Sequence, residues 1–198
     1  MYSSGVAALQ DFVVSRVRAK LLKVLLADPA EMYYVRQLTR LTGEEINAVR
    51  RELLRMVDRG IVKAEPRGNR VYYWFRHDYG FYEELLRLVA KTTGLGGAIR
   101  KNKAKLGKVK LVMFSGKFVH HHERSQDEVD VLVVGTVVLP ELAKLVRTEE
   151  VARKTEINYT VMPAEEFEFR RSRRDPFIMG ILSQSRVMLM GTEGDLLG

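Results

Sequence analysis

A run of three helical patterns followed at once by a β-hairpin is the feature that most constrains how this chain folds. Apolar residues recur at spacings of three and four in three segments, which predicts an amphipathic helix in each: residues 8–27, 35–41 and 44–59. Asp28-Pro29 ends the first helix and Gly60 ends the third, since both sequences are typical of helix ends. Thr42-Gly43 is a tight turn, so the pattern is helix, helix, turn, helix.

Two short strands are expected after the third helix. Residues 61–64 and 71–75 are rich in β-branched and aromatic side chains. Pro66-Arg67-Gly68-Asn69, between them, has the composition of a turn. The predicted hairpin carries Arg67 and Arg70 at its tip, and a fourth helix is expected over residues 81–92.

The positive charge of the chain is concentrated in its first half. The 198 residues have a net charge of +8. Residues 1–110 hold 22 Lys and Arg against 11 Asp and Glu, a net of +11, whereas residues 111–198 have a net of −3. The asymmetry favours a polyanionic partner for the first half, although a generally Arg-rich proteome would give the same excess.

Composition excludes several classes of protein. The chain has no Cys, which excludes disulfides, thiolate nucleophiles and Cys-based zinc sites. No apolar run approaches the roughly 18 residues needed to span a bilayer. The first residues also lack the basic and apolar regions of a signal peptide. We therefore expect a cytoplasmic protein that does not interact with membranes.

The first half resembles winged helix-turn-helix regulators. The segment VRQLTRLTGEEINAVRRELLRMVDRGIVKAEPRGNRVYYWF, residues 35–75, is similar to the arsenical-repressor-like and multiple-antibiotic-resistance-repressor-like families. The resemblance implies a homodimer that binds double-stranded DNA. Its third helix would enter the major groove, and the hairpin tip, or wing, would lie along a flanking phosphate backbone.

The resemblance and the chemistry of the side chains together predict the residues that face DNA: Arg40, Thr42, Glu44, Asn47, Ala48, Arg50, Arg51, Arg67, Asn69 and Arg70. Arg suits guanine edges, Asn suits adenine edges, and helix N-termini attract phosphates. The wing arginines and Arg40 would contact phosphates without reading the sequence. Three glutamates on the third helix (positions 44, 45 and 52) weaken this interpretation, so a protein-binding winged helix remains the alternative.

A glycine-rich segment separates the two halves. Three of the four residues 94–97 are Gly, which breaks the helical pattern. A short, basic and helical stretch follows. We interpret the chain as a winged helix domain (residues 1–93), a hinge with a connecting helix (94–106), and a second domain (107–198).

Strands alternate with helices in the second domain. Strands are predicted at residues 108–114, 128–134, 156–162 and 186–190, and helices at 139–149, 164–174 and 175–182. This alternation indicates a mixed sheet with helices packed on it. The whole chain is therefore expected to belong to the α+β class.

Two acidic residues open the second of these strands. Glu128 and Asp130 are two positions apart, so their side chains would share one face of the sheet. Glu156, at the start of the next strand, could add a third carboxylate. Crowded carboxylates repel each other unless a cation neutralises them, and Mg²⁺ prefers such oxygen ligands.

Residues 81–191 look like the minimal nucleotidyltransferase domains of the DNA polymerase beta superfamily. That family's motif is a strand ending in Gly-Ser, a loop, Asp-x-Asp and a third carboxylate. Phe114-Ser115-Gly116, Glu128-Val129-Asp130 and Glu156 stand at these positions. The resemblance implies Mg²⁺ on Glu128 and Asp130, a nucleoside triphosphate on Ser115, Gly116 and Lys117, and catalysis by Glu128, Asp130 and Glu156.

The chain departs from this motif in three places. Ser-Gly replaces Gly-Ser, Glu128 is one methylene longer than Asp, and the later Gly of the loop is missing. We therefore expect a degenerate domain that serves sensing, dimerisation or partner binding. The alternative is an active Mg²⁺-dependent enzyme that transfers a nucleoside monophosphate to a protein or RNA hydroxyl. His120-His121-His122 is expected in a solvated loop, with a metal-responsive loop as its alternative.

Overall fold

The chain folds into two compact units that divide between Thr93 and Gly94. The computed structural model describes residues 13–198, so the predicted start of the first helix at residue 8 lies outside the described part. Within the described part, the first helix begins at Arg16 with Ser15 as its N-cap, so the prediction of helix over residues 13–15 is wrong. Helices and strands are both present in each unit, which confirms the α+β class. Within residues 13–198, every helix is too short or too polar to span a bilayer.

The first unit combines four helices with a three-stranded antiparallel sheet in the strand order β1-β3-β2. Its elements, among the described residues, are α1 (Arg16–Ala27), β1 (Tyr33–Tyr34), α2 (Val35–Thr42), α3 (Ile46–Asp58), β2 (Val62–Arg67), β3 (Arg70–Phe75) and α4 (Tyr82–Thr92).

Local capping explains where these elements begin and end. Gly43 ends α2 in the left-handed conformation, with a φ of 64°. Helix α3 begins at Ile46, two residues later than predicted, because the Glu45 side chain caps it. The hairpin strands extend to Arg67 and Arg70, which leaves Gly68 and Asn69 as a two-residue turn.

The core of the first unit lies between its helices and one face of the sheet. The largest fully buried side chains come from every helix and from β3: Leu21, Leu25, Leu26, Leu38, Leu53, Met56, Phe75 and Leu86. Their spacing on α1 and α3 is the one that predicted helices there. The opposite face of α3 is exposed, whereas on α1 only the terminal residues Arg16 and Ala27 are exposed.

The second unit is built on a four-stranded sheet in the order β6-β5-β4-β7, in which only β5 and β6 are parallel. Its elements are α5 (Gly94–Lys101), a 3-10 turn (Lys103–Lys105), β4 (Gly107–Ser115), α6 (Gly116–His120), β5 (Val131–Val137), α7 (Leu139–Arg153), β6 (Tyr159–Met162), α8 (Ala164–Ser172), α9 (Pro176–Leu182), β7 (Arg186–Met190) and α10 (Glu193–Leu197).

The glycine-rich segment differs from the expected hinge. Residues 94–97 form the first turn of α5, and Leu95, Gly96 and Gly97 are buried. Helix α5 packs against α7 within the second unit. Because glycine has no side chain, it allows such close packing. A glycine-rich sequence, which usually indicates a linker, therefore forms part of a helix in this chain.

Three further differences bear on the candidate site. Strands β5 and β6 begin at Val131 and Tyr159, three residues later than predicted, so Glu128, Asp130 and Glu156 precede the strands rather than lie in them. Helix α6 was not predicted. It forms because Ser115 caps it, and five residues are too few to show a helical period. Helix α10 was not predicted either, because it also has only five residues.

Candidate functional site

The outward face of α3 carries an exposed stripe that contains two arginines together with an asparagine, a leucine and an aspartate. Asn47, Arg50, Arg51, Leu54 and Asp58 are exposed and follow each other at helical spacing, whereas the opposite face is buried in the core. Two arginines thus project from the middle of this face.

A cleft lies between α3, the hairpin and the start of α2. Its volume is about 550 Å³. We call it the arginine cleft and define it by its lining residues: Tyr34, Val35, Arg36, Arg50, Leu54, Asn69, Arg70, Val71 and Tyr73. Three of these side chains are cationic and none is acidic, so the cleft is complementary to an anionic ligand.

Aromatic rings hold one of these arginines in place. The guanidinium carbon of Arg70 lies 4.5 Å from the centre of the Tyr34 ring. Tyr34 in turn meets Tyr72 edge to face, with ring centres 5.9 Å apart. A guanidinium stacked on a ring loses little freedom when it binds a ligand, which suits Arg70 to anion recognition.

The wing tip is less strongly cationic than its sequence suggests. Arg67 Nε donates to Glu65 Oε1 at 2.8 Å. The same hydrogen bond holds the pKa of Glu65 below its usual range. Arg67 therefore faces solvent with part of its charge already neutralised.

Two of the three glutamates predicted to weaken anion binding face inward. Glu44 Oε1 lies 2.6 Å from Lys20 Nζ and 3.0 Å from Arg16 Nε. These partners hold the pKa of Glu44 below its usual range, chiefly through the hydrogen bond from Arg16. Buried Glu52 pairs with Arg18 Nε at 2.5 Å. Both carboxylates are thus neutralised by cations of α1.

The third glutamate is the N-cap of α3. Glu45 accepts hydrogen bonds from the backbone N–H groups of Asn47 and Ala48 at 2.8 and 2.9 Å. These bonds lower the pKa of Glu45, that from Asn47 most. The carboxylate therefore occupies the helix N-terminus itself, where a phosphate was expected.

The residues predicted to face DNA divide into three groups. Arg50, Asn69 and Arg70 meet in the arginine cleft, while Asn47 and Arg51 lie beside it on α3. Arg40 and Arg67 are exposed elsewhere on the unit, and Ala48 is half-buried. Thr42 and Glu44 turn inward, contrary to the prediction.

Thr42 turns inward because its hydroxyl donates to Leu38 O at 2.7 Å within α2, where the side chain is buried. Arg36 and Tyr34 were missed by sequence reasoning. Their proximity to Arg70 follows from the pairing of β1 with β3, which a two-residue strand does not reveal.

In the second unit, the Asp130 carboxylate is neutralised by an arginine. Asp130 is only 5% exposed. Its Oδ2 accepts from Arg124 Nε at 2.6 Å and from the backbone N–H of Asn158 at 2.9 Å. Arg124 also donates to the backbone oxygen of Glu156 at 3.4 Å.

The Glu128 carboxylate has a cation of its own. Lys117 Nζ lies 2.7 and 2.8 Å from its two oxygens, and the backbone N–H of Ser125 donates to it at 2.8 Å. These groups lower the pKa of Glu128, Lys117 most. Lys117, predicted to bind a triphosphate, is therefore engaged with a carboxylate.

Ser115 and Gly116 are also engaged. The buried hydroxyl of Ser115 accepts from Phe118 N at 3.1 Å and so caps α6. Gly116 N donates to Ser185 O at 2.6 Å. The Ser-Gly turn thus joins β4 and α6 to the chain before β7.

The residues predicted to bind Mg²⁺ do not form an open site in this arrangement. Among residues 13–198, no three His, Asp or Glu side chains are grouped so as to hold a metal. The Glu156 side chain is exposed, and only its backbone oxygen contacts Arg124. A Mg²⁺ ion at these carboxylates would compete with Lys117 for Glu128 and with Arg124 for Asp130.

Comparison of the chain with known protein families, curated proteins and solved structures gave no match.

Gly116→Ala is expected to lower the free energy of unfolding by about 1–3 kcal/mol, because the added methyl group has no room. A Cβ at Gly116 would lie 1.9 Å from Ser185 Oγ and 3.0 Å from Ser185 Cβ. Urea unfolding measures the effect.

The control for this variant is Gly180→Ala on α9, where nothing lies within 4 Å of an added Cβ. It should leave the stability unchanged or raise it by up to about 1 kcal/mol, since alanine favours helix. Equal effects of the two variants would contradict the close approach of Ser185 to Gly116.

Proposed function

We propose that the protein is a cytoplasmic, homodimeric regulator that binds double-stranded DNA through its first unit, a winged helix-turn-helix domain. The order of elements supports the proposal: a helix, a short strand, two helices joined by a tight turn, and a hairpin that pairs with the short strand. In this class of domain, α3 would lie in the major groove and the hairpin beside it.

The observation that carries the proposal is the positive charge of the arginine cleft. Arg36, Arg50 and Arg70 line it, and none of the three forms an ion pair with a residue of the described chain. The three glutamates at positions 44, 45 and 52, which would oppose an anion, are bound to α1 or to the N-terminus of α3, whereas Asp58 stays exposed at the far end of the helix. DNA, with one phosphate charge per roughly 1.7 Å of duplex, matches such a surface.

The arginines of the cleft and the exposed side chains of α3 would have different roles in DNA recognition. The arginines of the cleft would hold phosphates and so fix the position of the protein on DNA. Asn47 and Arg51, on the exposed stripe of α3, would reach base edges, where Asn suits adenine and Arg suits guanine. In the dimer, two copies of α3 would sit about one DNA turn, roughly 34 Å, apart.

For the second unit we propose a non-catalytic role in sensing, dimerisation or partner binding. The ion pairs of Glu128 with Lys117 and of Asp130 with Arg124 support it, since they already satisfy the carboxylates. Label transfer from a nucleoside triphosphate in Mg²⁺, lost in Glu128→Gln, would establish the nucleotidyltransferase alternative instead.

The test of DNA binding is its dependence on salt. With the three cleft arginines on phosphates, the affinity of the full chain for a duplex of mixed sequence should fall about 40-fold between 50 and 200 mM salt. Fluorescence anisotropy at several salt concentrations measures this slope. No binding at 50 mM salt, or an affinity that does not depend on the salt concentration, would contradict the proposal.

A further inference from the structure

The end of α6 brings two histidines together. His120 is the last residue of the helix, and the rings of His120 and His122 have centres 5.3 Å apart with planes tilted by 32°. Residues two apart on a regular helix point to nearly opposite sides, so helical geometry alone would separate these rings. Another feature of the chain must bring them together.

That feature is the left-handed conformation of His121. Its φ is 57°, and its N–H bonds back to α6. The backbone N–H of His122 then donates to Lys117 O at 2.9 Å, which completes the reversal of the chain. A non-glycine residue in this conformation is held there by its surroundings, so the arrangement of the two rings is set before any ligand binds.

The rest of the unit anchors this turn. Arg153, on α7, donates to Phe118 O at 2.9 Å, and its guanidinium carbon lies 4.0 Å from the centre of the Phe118 ring. The Phe118 ring packs edge to face on Phe114 of β4. Helix α6 is therefore fixed to both the sheet and α7.

The separation of the rings matches two imidazoles on one metal ion. With metal–nitrogen bonds of about 2.0–2.1 Å and a tetrahedral angle, the ring centres lie about 5 Å apart. His120 is half-buried and His122 is exposed, so an ion can reach the pair from solvent. The neighbouring cations along the chain, Lys117 and Arg124, are neutralised by Glu128 and Asp130 and repel an ion less than free cations would.

We propose that His120 and His122 together bind one transition-metal ion of the kind that imidazole prefers, Zn²⁺, Ni²⁺ or Cu²⁺. Two ligand positions come from the protein and water fills the others. The site is separate from the carboxylates assigned to Mg²⁺ by resemblance, and it does not depend on DNA binding by the first unit.

The test uses the full chain without a histidine tag. Calorimetric titration with Ni²⁺ should show one ion per chain, and Cu²⁺ should give an electron paramagnetic resonance spectrum with nitrogen ligands. His120→Ala and His122→Ala should each weaken binding at least about 10-fold. Circular dichroism checks that the variants remain folded.

The matched control is His121→Gly. Glycine adopts a positive φ without strain, so this variant keeps the turn and both ligands but removes the third imidazole. It should bind the ion with an affinity within about threefold of the original, since neither ligand changes. Unweakened binding by the His120→Ala/His122→Ala double variant, or an equal loss in His121→Gly, would overturn the proposal.

Discussion

Replacing Arg124 with alanine is expected to destabilise the second unit by about 3 kcal/mol, because it leaves the buried Asp130 carboxylate without a cation. The Asp130 side chain is 7% exposed and that of Arg124 20%. The partial exposure of Arg124 places the expected loss near the lower end of the range for broken buried ion pairs. Urea unfolding followed by circular dichroism measures it.

Two further variants separate this effect from general damage. Lys117→Ala breaks the neighbouring ion pair, whose partners are 43% and 22% exposed, and should lower the stability by no more than about 1 kcal/mol. In Arg124→Ala/Asp130→Asn the uncompensated charge is gone, so part of the lost stability should return. Equal losses in Arg124→Ala and Lys117→Ala would show that Arg124 is not the cation that Asp130 requires.

The elements of the fold could be predicted wherever the sequence is periodic over several turns. Helices α1 and α3 show the apolar spacing expected of them, and strand β7 has the predicted bounds. Two of the errors lie where one side chain sets the boundary. Glu45 delays α3 by capping it, and Ser115 starts α6 where a loop was expected. Neither capping interaction produces a periodic pattern of apolar residues in the sequence.

The sequence predicted candidate residues for the sites, but not which side chains contact each other there. Sequence reasoning selected Glu44 and Asp130 by type and position. It could not show that Glu44 meets Arg16 and Lys20, more than twenty residues earlier, or that Asp130 meets Arg124. With these partners, Asp130 is part of a structural ion pair rather than a metal ligand. Glu44 likewise forms structural ion pairs and does not oppose the binding of an anion.

Removing the charge of Arg50 and Arg70 together is expected to weaken DNA binding at least about 100-fold, since each hydrogen bond to a charged group contributes about 1.5–3 kcal/mol. Both side chains line the arginine cleft and are exposed. The slope of the logarithm of the affinity against that of the salt concentration should fall by about 2, because two phosphate contacts are lost.

The control for this double variant, Arg59→Ala/Arg87→Ala, removes the same charge from exposed positions of the first unit outside the cleft. Long-range attraction of DNA depends on net charge, so it should fall equally in both double variants. Contact with phosphates depends on position, so only Arg50→Ala/Arg70→Ala should lose the larger factor. Equal losses would mean that the net charge of the unit, rather than the arginine cleft, holds the DNA.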